Sequence, residues 1–468
     1  MRAPLSALAI VALVLPAGCT QASRRPAPRF EGSFGERLHA ADPARRFVAL
    51  IDLTEQVDSR ALAKQLEDGD ASKQEKRSQV IAAYETLAAR QQARLRPLLD
   101  RLIASGSIAY ALPVAIVNRV IVEGTAEGLS ALASNDEVAI VRPDWTSERG
   151  ASAAAEEPLD SARPLPASFR SWAIDAMNVE RMWELGYDGA GVVVAAIDTG
   201  AFEAHEQLCC RRVPGESGWF DPVEGSTAPH DGHGHGTGVL SQAVGGNPEG
   251  RVLGVAPHAA WAAALGNWRN FYVRSRMTLA ADWVLRVARP DVVINAWSHE
   301  EGTCNEFDRP FIEAWKSSGI FVVFPAGNGG PRAATGESPA QLRGIFSVTA
   351  LASGGKTNAR ASRGPSRCGS LLFPTLAAPG LDLPMAALGG PRVYLRGEGT
   401  SLSAGLVGGA AALLLQAEPE TDPEALERAL VAGARDIDPP GRDDVNGAGA
   451  IDVAAALTFL RAKTPPYR

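Results

Sequence analysis

The chain has 468 residues, and 46 lysines and arginines against 53 aspartates and glutamates give a formal charge of −7. Hydrophobic residues make up 46% and charged residues 21%, which is typical of globular proteins and excludes disordered and collagen-like chains. The mild negative charge argues against nucleic acid as the main partner, and 47 glycines with 32 prolines favour a loop-rich α/β fold over a helical bundle.

The first 19 residues have the pattern of an export signal. Arg2 precedes an apolar stretch, Ala3–Leu15, which has the length of a signal-peptide core and is too short to span a membrane. Residues 15–19, Leu-Pro-Ala-Gly-Cys, resemble a bacterial lipobox in which Cys19 is lipidated. Ordinary signal-peptidase cleavage near Ala22 is the alternative. We therefore expect an exported protein, either secreted or held in the cell envelope as a lipoprotein.

Residues 20–44 are predicted to be a tether, and residues 45–145 a small α+β domain. The predicted elements are a strand at Phe47–Leu53, a helix at 73–104 with a kink at Pro97, two strands or one bent hairpin within Ala115–Val122, a helix at Thr125–Ser134 with Thr125 as N-cap, and a strand at Glu137–Arg142. The order β-α-β-β-α-β is the split, ferredoxin-like arrangement. This segment carries no chemical motif.

Residues 146–166 are rich in small and charged residues without periodicity, which predicts an exposed linker. Residues 167–463 then alternate strands and helices. Strands are predicted at Gly191–Ile197, Trp261–Leu265, Asp291–Asn295, Ile320–Phe324 and Ile345–Leu351, and helices at Met277–Val287, Pro310–Ser317, Thr400–Gln416 and Pro423–Gly433. The pattern predicts a doubly wound α/β domain with a mostly parallel sheet, whose sites gather where strands end.

Polar residues in this second domain lie at the end of a strand and at the starts of helices. Asp198 follows the strand at 191–197, His235 lies in a Gly-rich segment that opens a helix, and Ser401 begins an apolar helix. A serine hydroxyl needs a base within hydrogen-bonding distance, and the base needs an orienting carboxylate. These residue types occur here in the order Asp, His, Ser. Asn328, after another apolar strand, supplies an amide that can donate to an oxyanion.

Each of these motifs is weak by itself. The sequence Asp198-Thr199-Gly200 also occurs in aspartic proteases, which need two copies, and one copy is present. A glycine-flanked histidine can be a turn residue or a metal ligand, and a serine at a helix start is usually an N-cap. Their occurrence together, in order and in matching contexts, favours a nucleophilic serine. A sedolisin-type carboxyl protease is another alternative, but it would have a glutamate where this chain has the His235 segment.

Around these motifs, residues 178–457 resemble the subtilisin-like serine proteases (subtilases), most of all the bacillopeptidase F-like group. The resemblance includes residues 184–189, 252–257 and 446–452. It implies that Asp198 orients His235, that His235 is general base and acid, that Ser401 is the nucleophile, and that Asn328 and the Ser401 backbone N–H form the oxyanion hole. It also implies that residues 45–145 are an inhibitory, chaperone-like propeptide.

Three departures from the family pattern stand out. Gly405 replaces the usual proline of the nucleophile helix, and Gly238 replaces a frequent second histidine. Residues 296–301 read Ala-Trp-Ser-His-Glu-Glu at the edge that, in the family, binds substrate backbone and walls the S1 pocket. Substrate preference is therefore not carried over. His233 and His299 are interpreted as exposed loop residues.

The predicted chemistry requires no cofactor. Calcium is common in the family, and the loop Gly245–Gly250 keeps Asn247 but shows no clear ligand set, so calcium stays an option. Four cysteines follow Cys19, and their spacing fits no zinc site. Because adjacent cysteines rarely bond each other, we expect one disulfide from Cys209 or Cys210 to Cys304 or Cys368; free buried cysteines are the alternative.

The sequence thus predicts a serine endopeptidase made as an exported zymogen, acting on proteins or peptides and binding its own propeptide. Membrane attachment through Cys19 is one of the two alternatives for the N-terminus. The competing interpretation is a surface lipoprotein that binds peptides on a subtilase scaffold with little or no turnover, because residues 296–301 are unusual.

Overall fold

A computed structural model describes residues 29–67, 71–144, 146–147, 155–158, 165–166, 168–247, 250–268, 271–301, 303–369 and 372–462. The predicted export signal, Cys19 and most of the linker lie outside the described residues. The chain divides after Asp144 into two compact units.

The first unit is a four-stranded antiparallel sheet with two main helices. Its elements are α1 (Phe34–His39), β1 (Arg46–Leu53), α2 (Ser59–Glu67), α3 (Lys73–Ala104), β2 (Ile108–Val114), β3 (Arg119–Thr125), α4 (Ala126–Ala133) and β4 (Val138–Pro143). The sheet order is β2-β3-β1-β4, the split β-α-β-β-α-β arrangement that the sequence predicts. Thr125 caps α4 by accepting from the Gly128 N–H, as expected.

The hairpin predicted within Ala115–Val122 is present, but its first strand lies earlier in the chain than expected, at β2. Residues 115–118 form a turn between β2 and β3 and are not themselves a strand. Their apolar side chains are nevertheless buried, with Ile116 1% exposed, and Asn118 has a left-handed φ of 38°. A buried apolar turn looks like a strand in the sequence because both carry consecutive apolar residues.

The second unit contains the remaining elements. These are β5 (Thr146–Ser147), β6 (Ala155–Pro158), α5 (Trp172–Ala176), α6 (Val179–Glu184), β7 (Val193–Asp198), β8 (Trp219–Phe220), α7 (His235–Val244), β9 (Ala260–Leu265), β10 (Asn267–Trp268), β11 (Phe271–Val273), α8 (Arg274–Trp283), β12 (Val292–Ile294), β13 (His299–Glu301), α9 (Arg309–Ser317), β14 (Phe321–Pro325), β15 (Glu337–Ser338), β16 (Ser347–Leu351), β17 (Leu376–Pro379), β18 (Leu383–Ala386), β19 (Tyr394–Glu398), α10 (Thr400–Ala417), α11 (Pro423–Ala432) and α12 (Val453–Arg461).

A seven-stranded sheet of order β17-β16-β14-β12-β7-β9-β8 forms the centre of this unit, and its described pairs are parallel. Its strands are mostly apolar because helices cover both faces of such a sheet. The predicted doubly wound α/β domain is confirmed.

Helix α10 lies within the core of this unit. Among the described helices it alone is long and apolar enough to cross a membrane, yet 89% of it is buried inside the protein. That burial is typical of the core helix of a globular domain.

The cysteine pairing differs from the prediction. Cys304 is bonded to Cys368, and Cys209 is bonded to its neighbour Cys210. The expected bridge between the two pairs is therefore wrong. Sequence spacing could not decide this, because the fold brings Cys304 and Cys368, 64 residues apart, to a Cα–Cα distance of 5.4 Å.

Candidate active site

Asp198 and His235 are joined by a buried hydrogen bond. The Asp198 carboxylate, at the end of β7, lies 2.7 Å from Nδ1 of His235, and both residues are 1% exposed. The same carboxylate oxygen accepts from the Thr199 N–H at 2.7 Å. Because an ionised carboxylate only accepts, Nδ1 of the imidazole carries the hydrogen, which leaves Nε2 to act as a base.

Local contacts place His235 at the start of α7. The Asp231 carboxylate accepts from the backbone N–H groups of His233, Gly234 and Thr237 at 2.8–3.0 Å and so caps the helix. Gly236 lies so close to β7 that a Cβ there would be 2.2 Å from the Gly200 carbonyl oxygen. Glycine is therefore required at 236. Sequence reasoning missed the capping role of Asp231, although an aspartate before a Gly-rich helix start is itself a capping signal.

Helices α7 and α10 pack side by side in a regular register. A Cβ on Gly405 would lie 2.6 Å from the Val239 carbonyl oxygen, and one on Gly409 would lie 2.6 Å from that of Ala243. The two contacts are separated by four residues on each helix. Four residues earlier on each helix, the same register places Ser401 opposite His235. Ser401 is 1% exposed, and its hydroxyl makes no hydrogen bond with the described part of the chain.

Asn328 lies just beyond β14 and contacts the first residue of α10. Its Oδ1 accepts from the backbone N–H and the hydroxyl of Thr400, each at 3.1 Å. The Gly327 N–H donates to the same hydroxyl at 3.2 Å. The amide of Asn328 is thus fixed beside the residue that precedes Ser401, with its oxygen toward the helix.

Glu337 is a buried carboxylate that sequence reasoning missed. It is 6% exposed, and its carboxylate accepts from the Asn328 N–H at 3.3 Å and from the Ser298 hydroxyl. Ser298 belongs to the unusual segment 296–301, and β15, which holds Glu337, pairs with β13 of that segment. No local pattern marks Glu337, because its partners lie nine or more residues away.

The structure therefore joins Asp198 to His235, and Asn328 to the start of the Ser401 helix. Comparison with known proteins decides the family, since the profile of the subtilase family matches residues 189–449, more than half of the chain. The chain belongs to the subtilase family. Among solved structures it resembles fervidolysin from Fervidobacterium pennivorans, described as a keratinolytic enzyme related to subtilisin, with a TM-score of 0.64 and 16% identity over 88% of this chain and 61% of that one. The subtilisin-like fold expected from the sequence is confirmed.

Several relatives share this domain. Bacillopeptidase F of Bacillus subtilis (strain 168) is 28% identical over 420 residues, covering 82% of this chain and 29% of the relative. Serine protease AprX of the same organism is 28% identical over 302 residues, covering 56% of this chain and 65% of AprX. Subtilisin E, also from that organism, is 30% identical over 289 residues, covering 61% and 70%. The chain thus spans less than a third of bacillopeptidase F and just under two thirds of AprX.

The departures from the subtilase pattern have local explanations. Gly405 permits the close approach of α10 to α7, and a Cβ on Gly238 would lie 2.9 Å from Sδ of Met385. His233 is half-buried, and His299 is fully buried, so the interpretation of His299 as an exposed loop residue is wrong. Its burial follows from contacts with Tyr272 and Asp308.

The described residues of the Gly245–Gly250 loop, 245–247 and 250, include no carboxylate that could bind calcium. Oδ1 of Asn247 already accepts from the Arg251 N–H at 2.9 Å, and the Arg251 guanidinium lies 3.2 Å from Glu206. Elsewhere in the described chain, side-chain donors of Asp221, Glu224 and His230 come within 4.8 Å of one another, but three backbone N–H groups already donate to Asp221.

Proposed function

We propose that this protein is a serine endopeptidase that cleaves proteins or peptides through an acyl-enzyme. The observation that carries the proposal is the buried Asp198–His235 hydrogen bond of 2.7 Å, at the end of the helix that packs beside the Ser401 helix. Membership of the subtilase family supports the same conclusion.

In the proposed mechanism, the Ser401 hydroxyl attacks the peptide carbonyl carbon while Nε2 of His235 takes its proton. The Asp198 carboxylate holds the imidazole in that tautomer and stabilises its positive charge. The carbonyl oxygen becomes an oxyanion, which accepts from the Asn328 amide and the Ser401 backbone N–H. His235 then protonates the leaving amine. Water hydrolyses the acyl-enzyme by the same steps in reverse, and no cofactor takes part.

Labelling with a fluorophosphonate probe, which reacts with activated serines, tests this function. We expect labelling and peptide hydrolysis in the wild type and neither in Ser401→Ala. Ser403→Ala is the matched control, because its hydroxyl lies in the same helix but donates to the Pro379 carbonyl at 2.8 Å. Hydrolysis that persists in Ser401→Ala would overturn the assignment. A wild type without labelling would favour peptide binding without turnover.

The protein is further proposed to be a zymogen with residues 45–145 as its propeptide. In support, β5 pairs antiparallel with β11, and β6 pairs antiparallel with β19, the strand that leads into Ser401. Residues 146–147 and 155–158 of the linker therefore lie along two strands of the catalytic unit in extended form, as a substrate does. We infer that the cut falls between them, within residues 148–154.

Export is proposed from residues 1–19, by secretion or by lipidation of Cys19. Since the predicted anchor precedes the cut and the catalytic unit follows it, maturation would release that unit in either case.

A further inference from the structure

Asp308, the residue before α9, joins two segments of the second unit. Its Oδ1 accepts from the Tyr272 hydroxyl at 2.6 Å, and its Oδ2 lies 2.6 Å from Nε2 of His299. Because the carboxylate only accepts, Nε2 of His299 carries the donated hydrogen. Tyr272 is 1% exposed, and His299 and Asp308 are both 0% exposed.

Aromatic rings surround this hydrogen-bonded group. The Tyr272 ring centroid lies 4.9 Å from that of His299 and 5.6 Å from that of Trp297, and Trp297 packs edge-to-face on Phe324 of β14. In so apolar a place, a donor or acceptor that loses its partner is costly, so the three polar groups fix one another's position.

The group connects the two sides of the proposed peptide site. Tyr272 lies on β11, where it is paired with Ser147 of the protein's own linker. His299 follows Ser298, which donates to Glu337, and Glu337 accepts from the Asn328 N–H. One end of the group therefore reaches the strand that holds an extended peptide, and the other reaches the oxyanion residue.

We propose that Tyr272, Asp308 and His299 are positioning residues that set the affinity for peptide residues N-terminal to the scissile bond. The linker indicates which side of the scissile bond is bound. Thr146 and Ser147 precede the inferred cut and pair with β11, so β11 holds residues N-terminal to that bond. The proposal rests on the endopeptidase function. It gives His299, in the segment where the chain departs from its family, a buried positioning role.

Two quenched fluorescent peptides test this proposal on the mature enzyme. The long peptide copies residues 143–156, and the short peptide copies residues 148–156 and so lacks the part that lies on β11. For Tyr272→Phe we expect KM for the long peptide to rise roughly tenfold, the cost of a lost buried hydrogen bond, while its kcat stays the same. Kinetics on the short peptide and the rate of fluorophosphonate labelling should not change.

Two further variants separate positioning from general stability. Asp308→Asn should stay close to the wild type, because an amide can accept from Tyr272 and donate to the other imidazole tautomer of His299. Tyr187→Phe is the matched control, since its hydroxyl accepts from Arg461 at the surface of the same unit. In Tyr272→Phe, equal losses on both peptides, or an unchanged KM on the long one, would overturn the proposal. Labelling that persists in those variants would show that the endopeptidase function stands regardless.

Discussion

The side-chain oxygen of Asn328 accepts a hydrogen bond of 3.1 Å from the backbone N–H of Thr400. The first N–H groups of a helix have no partner within the helix, and Gly399 has no side chain to cap α10. The amide of Asn328, in the loop after β14, takes that role. The contact also orients Asn328, because its oxygen faces the helix and its NH₂ group must point elsewhere. Capping and the proposed oxyanion binding thus use opposite ends of one side chain.

Replacing Asn328 tests the oxyanion role. In Asn328→Ala we expect kcat to fall while KM changes little, since the oxyanion exists only in the transition state. Loss of such a donor in subtilisin lowers kcat by about 10²–10³, and we expect a similar loss in this protein. Steady-state kinetics on one peptide measures it. An unchanged kcat would remove Asn328 from the mechanism.

The packing of Gly405 against Val239 predicts an effect of a single added methyl group. Gly405→Ala places a Cβ 2.6 Å from the Val239 carbonyl oxygen, so α10 must move away from α7. We expect a loss of about 1–3 kcal/mol in the free energy of unfolding, with lower kcat because Ser401 moves relative to His235. Urea denaturation and kinetics measure both. Gly354→Ala, where a Cβ meets nothing within 4 Å, should change neither.

Protonation of the buried His205 should lower the stability of the fold in acid. Burial lowers its pKa below the ordinary 6.5, although the Val393 carbonyl and the Glu206 charge act in the opposite direction. The unfolded chain therefore binds a proton more readily than the folded one, so stability is complete above pH 6.5 and falls as the pH drops toward the folded pKa. The melting temperature should fall more between pH 7.5 and 5 in the wild type than in His205→Gln. An equal fall in melting temperature in the two proteins would contradict this role of His205.

Maturation should produce a defined N-terminus. We expect cleavage within residues 148–154 in the wild type and an intact precursor in Ser401→Ala, both read by intact mass and N-terminal sequencing. Added residues 45–145, which hold most of the hydrophobic core of the first unit, should inhibit the mature enzyme. Activity that is unaffected by excess fragment would rule out the propeptide role.

Cys19 decides between the two forms of export. In a Ser401→Ala background, which keeps the precursor whole, the lipidated chain should fractionate with membranes and the Cys19→Ser chain should not. A lipoprotein cysteine carries a diacylglyceryl group and usually an N-acyl chain, and two or more chains give stable attachment. The mature wild-type enzyme should be released. Identical partitioning of the two precursors would mean that Cys19 is not lipidated.

Much of the fold follows from local patterns. The apolar run at 191–197 and the capped helix at Pro423 are encoded by neighbouring residues, and the structure has β7 at Val193–Asp198 and α11 at Pro423–Ala432, with Asp422 as N-cap. The candidate site residues could likewise be named from the sequence, because chemistry at the ends of strands and helices is marked by glycine and polar residues beside apolar runs.

What the sequence alone determined was therefore the order of elements, the family and the residue types of the site. Only the tertiary structure decided which distant groups meet. Glu337 contacts Asn328, Cys304 bonds Cys368, and His299 is buried with Asp308 and Tyr272. A strand or helix is specified by residues within a few positions of one another, whereas these contacts depend on how the sheet and its crossover segments pack, which periodicity does not encode.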